Sequence, residues 1–272
     1  MLTHVLLFTV LLGYAGVASA HGNVNERIHG LDHEIAHHPK DVNLLIKRGQ
    51  LLLDEGHADD ARDDFVKAHK LAPKRIEALY HLAQAQLMLK QPDTALESAN
   101  KFLQQATNDA AKARGFILTG DILSASGKPF DAAEAYLNAI NHSQEIKPDY
   151  VLYAANAFHA AGKTDRAIEV LNDGIARLGS LPTLNDRVLE LEVEQKLYEP
   201  ALSRIDQMLA THQRVPFLLY KKGLILKTLA RTSEAKQTLA SALKEIDELP
   251  ESRRHTQAIE KLKNGLLAEI NF

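Results

Sequence analysis

Three prolines stand 34 residues apart, at Pro148, Pro182 and Pro216. Proline has no N–H to give a helix interior, and its ring clashes with the preceding turn, so each marks a boundary between elements. A fixed period of this length restricts the chain to stacked copies of one supersecondary unit. The clearest copy covers 42–75 and reads Leu45, Gly49, Leu52, Gly56, Ala61, Phe65, Ala68, Pro73. Spacings of four and three put Leu45, Gly49 and Leu52 on one face of a helix, and Ala61, Phe65 and Ala68 on one face of a second. Asp54-Glu55-Gly56 is the expected turn between them, and Pro73 closes the pair. Gly49 and Ala61 are small where the helices of a hairpin must approach closely.

The frame recurs at 76–109 (Leu79, Leu82, Ala83, Ala95, Ala99, Phe102), with Gln91-Pro92-Asp93 at the expected turn. A three-residue insert, Ala110 to Lys112, then shifts the register. Further copies follow at 113–146 (Phe116, Gly120, Ala132, Tyr136), 148–181 (Val151, Ala155, Ala167, Leu171), 182–215 (Leu189, Ala201, Ile205) and 216–249 (Leu219, Gly223, Ala235, Leu239). The fifth copy is the poorest: Asn185 and Glu192 stand where apolar residues are usual, so distortion is expected there. Gly49, Ala61, Phe65, Ala68 and Pro73 match the pattern of the tetratricopeptide repeat place for place, with Leu45 where that family usually has Trp. The chain therefore resembles that family. The resemblance implies an all-α fold, a right-handed α-solenoid of six helix hairpins with a concave groove lined by the first helix of each.

Two stripes flank the array. Val24, Ile28, Leu31 and Ile35 precede Pro39, and Ile259, Leu262, Leu266 and Ile270 follow Pro250. Each would cover an otherwise exposed end unit, so 21–41 and 250–272 are expected to be capping helices. Residues 1–20 carry no charged side chain apart from His4, and an apolar run from Val5 to Val17 is too short to span a bilayer, which takes roughly 20 residues. It ends in Ala18-Ser19-Ala20, a small-x-small pattern that signal peptidase accepts. The reading is a cleaved signal peptide, a mature chain from His21 without a membrane span, and a periplasmic or secreted location. A basic n-region is missing, and the alternative is a buried helix or an uncleaved anchor. The chain has 0 cysteines, so neither a lipid anchor nor a disulfide contributes.

A formal net charge of −3 argues against a nucleic-acid binder, which needs a basic face. The ninth place of the six units holds Gln50, Gln84, Asp121, Asn156, Glu190 and Leu224. The fifth place adds Tyr80 and Leu152, and Tyr153 and His159 stand nearby. A polar ladder beside aromatic and apolar groups suits an extended peptide, because amide side chains hydrogen-bond its backbone. Gln50, Tyr80, Gln84, Asp121, Tyr153, Asn156 and Glu190 are the candidate partner-binding residues; the blander alternative is a solvated face. Chaperone-adaptor members of the family grip a C-terminal carboxylate with a Lys/Asn/Lys/Arg set. The matching places here hold Ile46, Gln50, Asp54, Tyr80, Gln84 and Met88, so no such clamp is expected.

His29, His33 and His37 are spaced by four and share a helix face opposite the Val24/Ile28/Leu31/Ile35 stripe. With His21, whose α-amine and ring could chelate together, they form a candidate copper or zinc site. Weak adventitious divalent-metal binding is favoured over a physiological site, and no cofactor is expected. Asp59, Asp60, Asp63 and Asp64 open a second helix, where they suit the positive end of its dipole better than a calcium loop. No nucleophile elbow, His-Glu-x-x-His pair or phosphate loop is present. The expected function is a non-catalytic scaffold for a protein or peptide; a metal-delivery protein and a structural spacer in an envelope assembly are the alternatives.

Overall fold

The structure, a computed structural model, describes residues 11–211 and 214–270. Residues 1–10 of the expected signal peptide, and the His21 side chain, lie outside the described residues. Among the described residues there is no strand, and no helix is long and apolar enough to cross a membrane. The chain divides into two bodies, one ending at Ala161 and the other starting at Gly162.

The first body holds α1 (Leu11–His37), α2 (Val42–Asp54), α3 (Ala58–Leu71), α4 (Glu77–Met88), α5 (Pro92–Gln105), α6 (Asp109–Ala125), α7 (Pro129–His142) and α8 (Pro148–Ala160). Its successive helices pack antiparallel as α2 on α3, α4 on α5 and α6 on α7, and each hairpin packs on the next. Neighbouring hairpins share core clusters. Leu45, Ala61, Phe65 and Ala68 meet Ala78 and Leu82 of the following unit, and Ala83, Ala95 and Ala99 meet Leu118 and Ile122. Residues 21–41, the expected N-terminal cap, fall largely within α1, which begins earlier at Leu11; its Leu31 and Ile35 are buried while His29, His33 and His37 are exposed. Arg48 of α2 fastens it. The guanidinium donates to both oxygens of Asp64 at 2.8 and 2.6 Å and to Asp32 of α1 at 2.7 Å. Asp64 is therefore a buried ion-pair partner, whereas Asp59 and Asp63 pair with Arg62 at the surface.

The second body holds α9 (Thr164–Leu178), α10 (Pro182–Glu194), α11 (Tyr198–Leu209), α12 (Val215–Thr228), α13 (Thr232–Asp247), α14 (Glu251–Arg254) and α15 (Gln257–Ile270). The expected C-terminal cap is α15, which buries Ile259, Leu262 and Leu266 against Leu239, Ala242 and Ile246 of α13. The weak fifth repeat, α10 and α11, has a polar interior. Glu192 is 3% and Asn185 5% exposed. Arg204 of α11 donates to both Glu192 oxygens at 3.0 and 2.8 Å and to Asn172 at 3.0 Å. Both anomalous residues lie beside Arg204, Glu192 as its ion-pair partner and Asn185 with its oxygen 3.5 Å away; a buried ion pair like Arg204–Glu192 costs about 3–5 kcal/mol when one partner is deleted.

All six inter-helix turns reverse through one left-handed residue at the fifteenth place: Gly56, Lys90, Gly127, Gly162, Lys196 and Ala230. Glycine adopts that conformation without a Cβ penalty; Lys90, Lys196 and Ala230 bear it at roughly 1 kcal/mol each. In the second repeat the reversal lies at Lys90, one place before the expected turn, and Pro92 opens α5 as its first-turn residue. The Ala110–Lys112 insert adds no loop. It becomes the first turn of α6, capped by the Asn108 side chain, which accepts from the Ala111 N–H at 2.8 Å.

Helix approach is tightest at the eighth place. A Cβ at Gly49 would lie 2.6 Å from Cε1 of Phe65, a fully buried ring with nowhere to move. Gly49→Ala is expected to lower stability by about 1–2 kcal/mol, because overpacking of ~1–3 kcal/mol exceeds the helix-propensity gain of about 1 kcal/mol. Combining it with Phe65→Leu should be less damaging than the two changes summed. Urea titration followed by hydrogen exchange in α2 and α3 would check both.

Candidate functional site

The seven predicted groove residues all lie on first helices, and none is in the core. Spacing explains this. Gln50 follows buried Gly49, Gln84 follows buried Ala83, and Asn156 follows buried Ala155, so each sits at the edge of its helix's packed stripe.

In the first body the structure links the candidates through a residue the repeat pattern does not highlight. His81 of α4 lies between Gln50 of α2 and Gln84 of its own helix. Its Nε2 is 2.7 Å from the Gln50 amide nitrogen, and its Nδ1 is 2.8 Å from the Gln84 Oε1. The ring accepts from Gln50 and donates to Gln84, which is the neutral tautomer. Its ring stacks on Phe65 at 5.4 Å and meets Tyr80 edge-on at 5.3 Å. Burial pushes the imidazole pKa below the ordinary 6.5; the Gln84 hydrogen bond opposes this, and Arg114 adds to it. Tyr80 packs on Phe102 and carries the Arg114 guanidinium 4.4 Å above its ring centroid. His81 occupies the sixth place, where Tyr153 stands in the fourth unit, and a scan of that place would have found it.

A second cluster lies on α6, α7 and α8. The Tyr136 hydroxyl donates to Asp121 Oδ1 at 2.8 Å, and the Tyr136 and Tyr153 rings are 5.5 Å apart. Asp121 has its pKa pushed up by desolvation, opposed by the Tyr136 hydrogen bond. Burial raises the Tyr136 phenol as well. Asn156, one turn beyond Tyr153, already engages a neighbour.

In the second body Glu190 accepts from Arg187 at 3.1 Å. It stands on the rim of an open apolar pocket of about 280 Å³ lined by Leu189, Val193, Lys221, Leu224 and Ile225. The ninth-place residues Glu190 and Leu224 are therefore brought to one pocket. Of the candidate metal residues, the side chains of His29, His33 and His37 are described and that of His21 is not. His33 and His37 approach edge-on at 4.7 Å, His29 sits 3.5 Å from Asp32, and no group of three ligating side chains gathers among the described residues.

Models of the tetratricopeptide repeat match residues 52–116 and 117–181. With the hairpins described above, they define the class: the chain belongs to the tetratricopeptide repeat family. No curated protein matches its sequence significantly. Among solved structures, a tetratricopeptide repeat protein from Parabacteroides merdae is 15% identical, with a TM-score of 0.53 over 94% of this chain and 97% of that one. MamA from Desulfovibrio magneticus is 22% identical, with a TM-score of 0.50 over 67% of this chain and 93% of that one. Naa15/Naa10 bound to HypK-THB is 15% identical, with a TM-score of 0.56 over 90% of this chain but 36% of that one. At these identities the shared property is the fold.

The depressed His81 pKa has a direction that can be measured. The folded chain binds this proton less tightly than the unfolded one, so stability is full above the ordinary value of 6.5 and falls as pH drops through it toward the folded pKa. Arg114 opposes protonation, while Glu77 and Asp54 favour it. His81→Gln keeps a polar partner for Gln50 without the titration. The drop in thermal midpoint between about pH 7 and pH 5.5 should be smaller in this variant than in the parent.

Proposed function

We propose that the chain is a non-catalytic scaffold that holds an extended peptide or a protein segment along the faces of its first helices. The observation that carries this reading is the Gln50–His81–Gln84 relay. It holds two amide side chains of neighbouring repeats in fixed orientation at the surface, beside Tyr80. Preorganised amides lose little side-chain entropy when they bind a peptide backbone. The Asp121, Tyr153 and Asn156 surface continues this chemistry in the first body, and Glu190 does so in the second. Membership of a family built around protein-binding repeats supports the same reading.

The reading places the scaffold outside the cytoplasm. Support comes from the apolar run that ends in Ala18-Ser19-Ala20 and from a chain without cysteine. N-terminal sequencing of the protein recovered from the producing cell should then begin at His21; an intact Met1 would refute export by cleavage.

Gln84→Ala combined with Asn156→Ala removes two groove amides while leaving the core untouched. Capture of specific partners from the producing cell, quantified against the parent, should fall about tenfold or more, as for loss of well-placed interface groups. Undiminished capture with unchanged helicity would move the binding surface elsewhere.

A further inference from the structure

Asp121 differs from three carboxylates that the chain pairs with its own cations. Asp64 has Arg48, Glu192 has Arg204, and Asp186 has Arg214 and Lys221. Among the described residues Asp121 has a neutral partner, the Tyr136 hydroxyl, and no cation. Asp121 is exposed on α6, so a ligand can reach it, and a carboxylate without a counter-charge in the chain is open to pairing with a cation from outside.

Its surroundings are rigid and aromatic. Tyr136 is 5% exposed, and its ring fills the space over Gly120, where a Cβ would fall directly on it. Its hydroxyl is thereby aimed at Asp121. Tyr153 is 44% exposed and presents its ring beside that of Tyr136. A carboxylate next to an accessible π-face, here that of Tyr153, attracts a cation twice: by ion pairing and through the ring quadrupole. An anionic or neutral group would leave the carboxylate unpaired.

We propose that this place on the first body seats one cationic side chain of the partner, a lysine or arginine, between the Asp121 carboxylate and the exposed Tyr153 ring. The proposal rests on the groove reading above and supplies its partner chemistry: a segment with a basic residue opposite α6. Asp121 then acts in specificity.

The test uses the full chain with its seven tyrosines labelled at the hydroxyl-bearing ring carbon. Tyr136→Phe and Tyr153→Phe assign two of the signals. The probes are the Nα-acetyl N-methylamides of lysine, arginine and glutamine. The lysine and arginine probes should shift the Tyr136 and Tyr153 signals at concentrations about tenfold lower than the glutamine probe, the scale of one charge-assisted contact. Asp121→Asn should abolish that preference. It should leave the thermal midpoint unchanged, because the Asn oxygen still accepts from Tyr136. A merely structural Asp121 would lower the midpoint instead. Absence of any shift with the cationic probes, equal response to glutamine, or a preference that survives Asp121→Asn overturns the proposal. Each of these can occur while the Gln84/Asn156 variant still loses its partner, so the seat and the groove fail separately.

Discussion

Each hairpin depends on how closely its two helices approach, and one pair of places in the repeat governs that distance. Residue eight of the unit faces residue twenty-four. Where the eighth is Gly49, Gly120 or Gly223, a large partner, Phe65, Tyr136 or Leu239, lies directly against the backbone opposite. The fifth unit breaks the pairing. Leu189 and Ile205 are both large, α10 and α11 share a thinner contact than α12 and α13, and Arg204 with Glu192 fills the interval. A polar pair there follows from the same constraint that puts glycine or alanine at the eighth place of the other units.

The same approach sets the surface. Drawing one face of each first helix against its partner leaves the adjoining residues at the edge of the packed stripe. Gln50, Gln84, Asp121 and Asn156 are accessible because their neighbours are buried. Tyr136 joins the two roles: its ring packs over Gly120 and its hydroxyl reaches Asp121. Core geometry thus orients a surface carboxylate.

The helices were legible in the sequence because their signal is local. Spacings of three and four, repeated every 34 residues, place the hairpins and both flanking helices. Much of what the pattern leaves out depends on residues distant in the chain. Arg48 meets Asp64 sixteen residues away and Asp32 sixteen the other way. Period alone cannot tell a buried aspartate in an acidic run from its solvated neighbours, and Asp64 differs from Asp63 only by having Arg48 opposite. His81 escaped notice because its role is defined by Gln50 on another repeat. The turn at Lys90 escaped because a lysine carries no sign of the left-handed conformation that Gly56 advertises.

The left-handed residue at the fifteenth place has a consequence for how such a chain tolerates changes of length. Each unit restarts its own phase at that reversal, because the backbone there fixes where the second helix begins, whatever preceded it. Three extra residues at Ala110–Lys112 are absorbed as one more turn at the start of α6, and the reversal at Gly127 follows as in other units. A length error introduced between hairpins is therefore confined to the junction where it arises. The same three residues placed between the eighth and fifteenth positions would rotate the small residue away from its partner. The junctions are where this chain can grow without losing register.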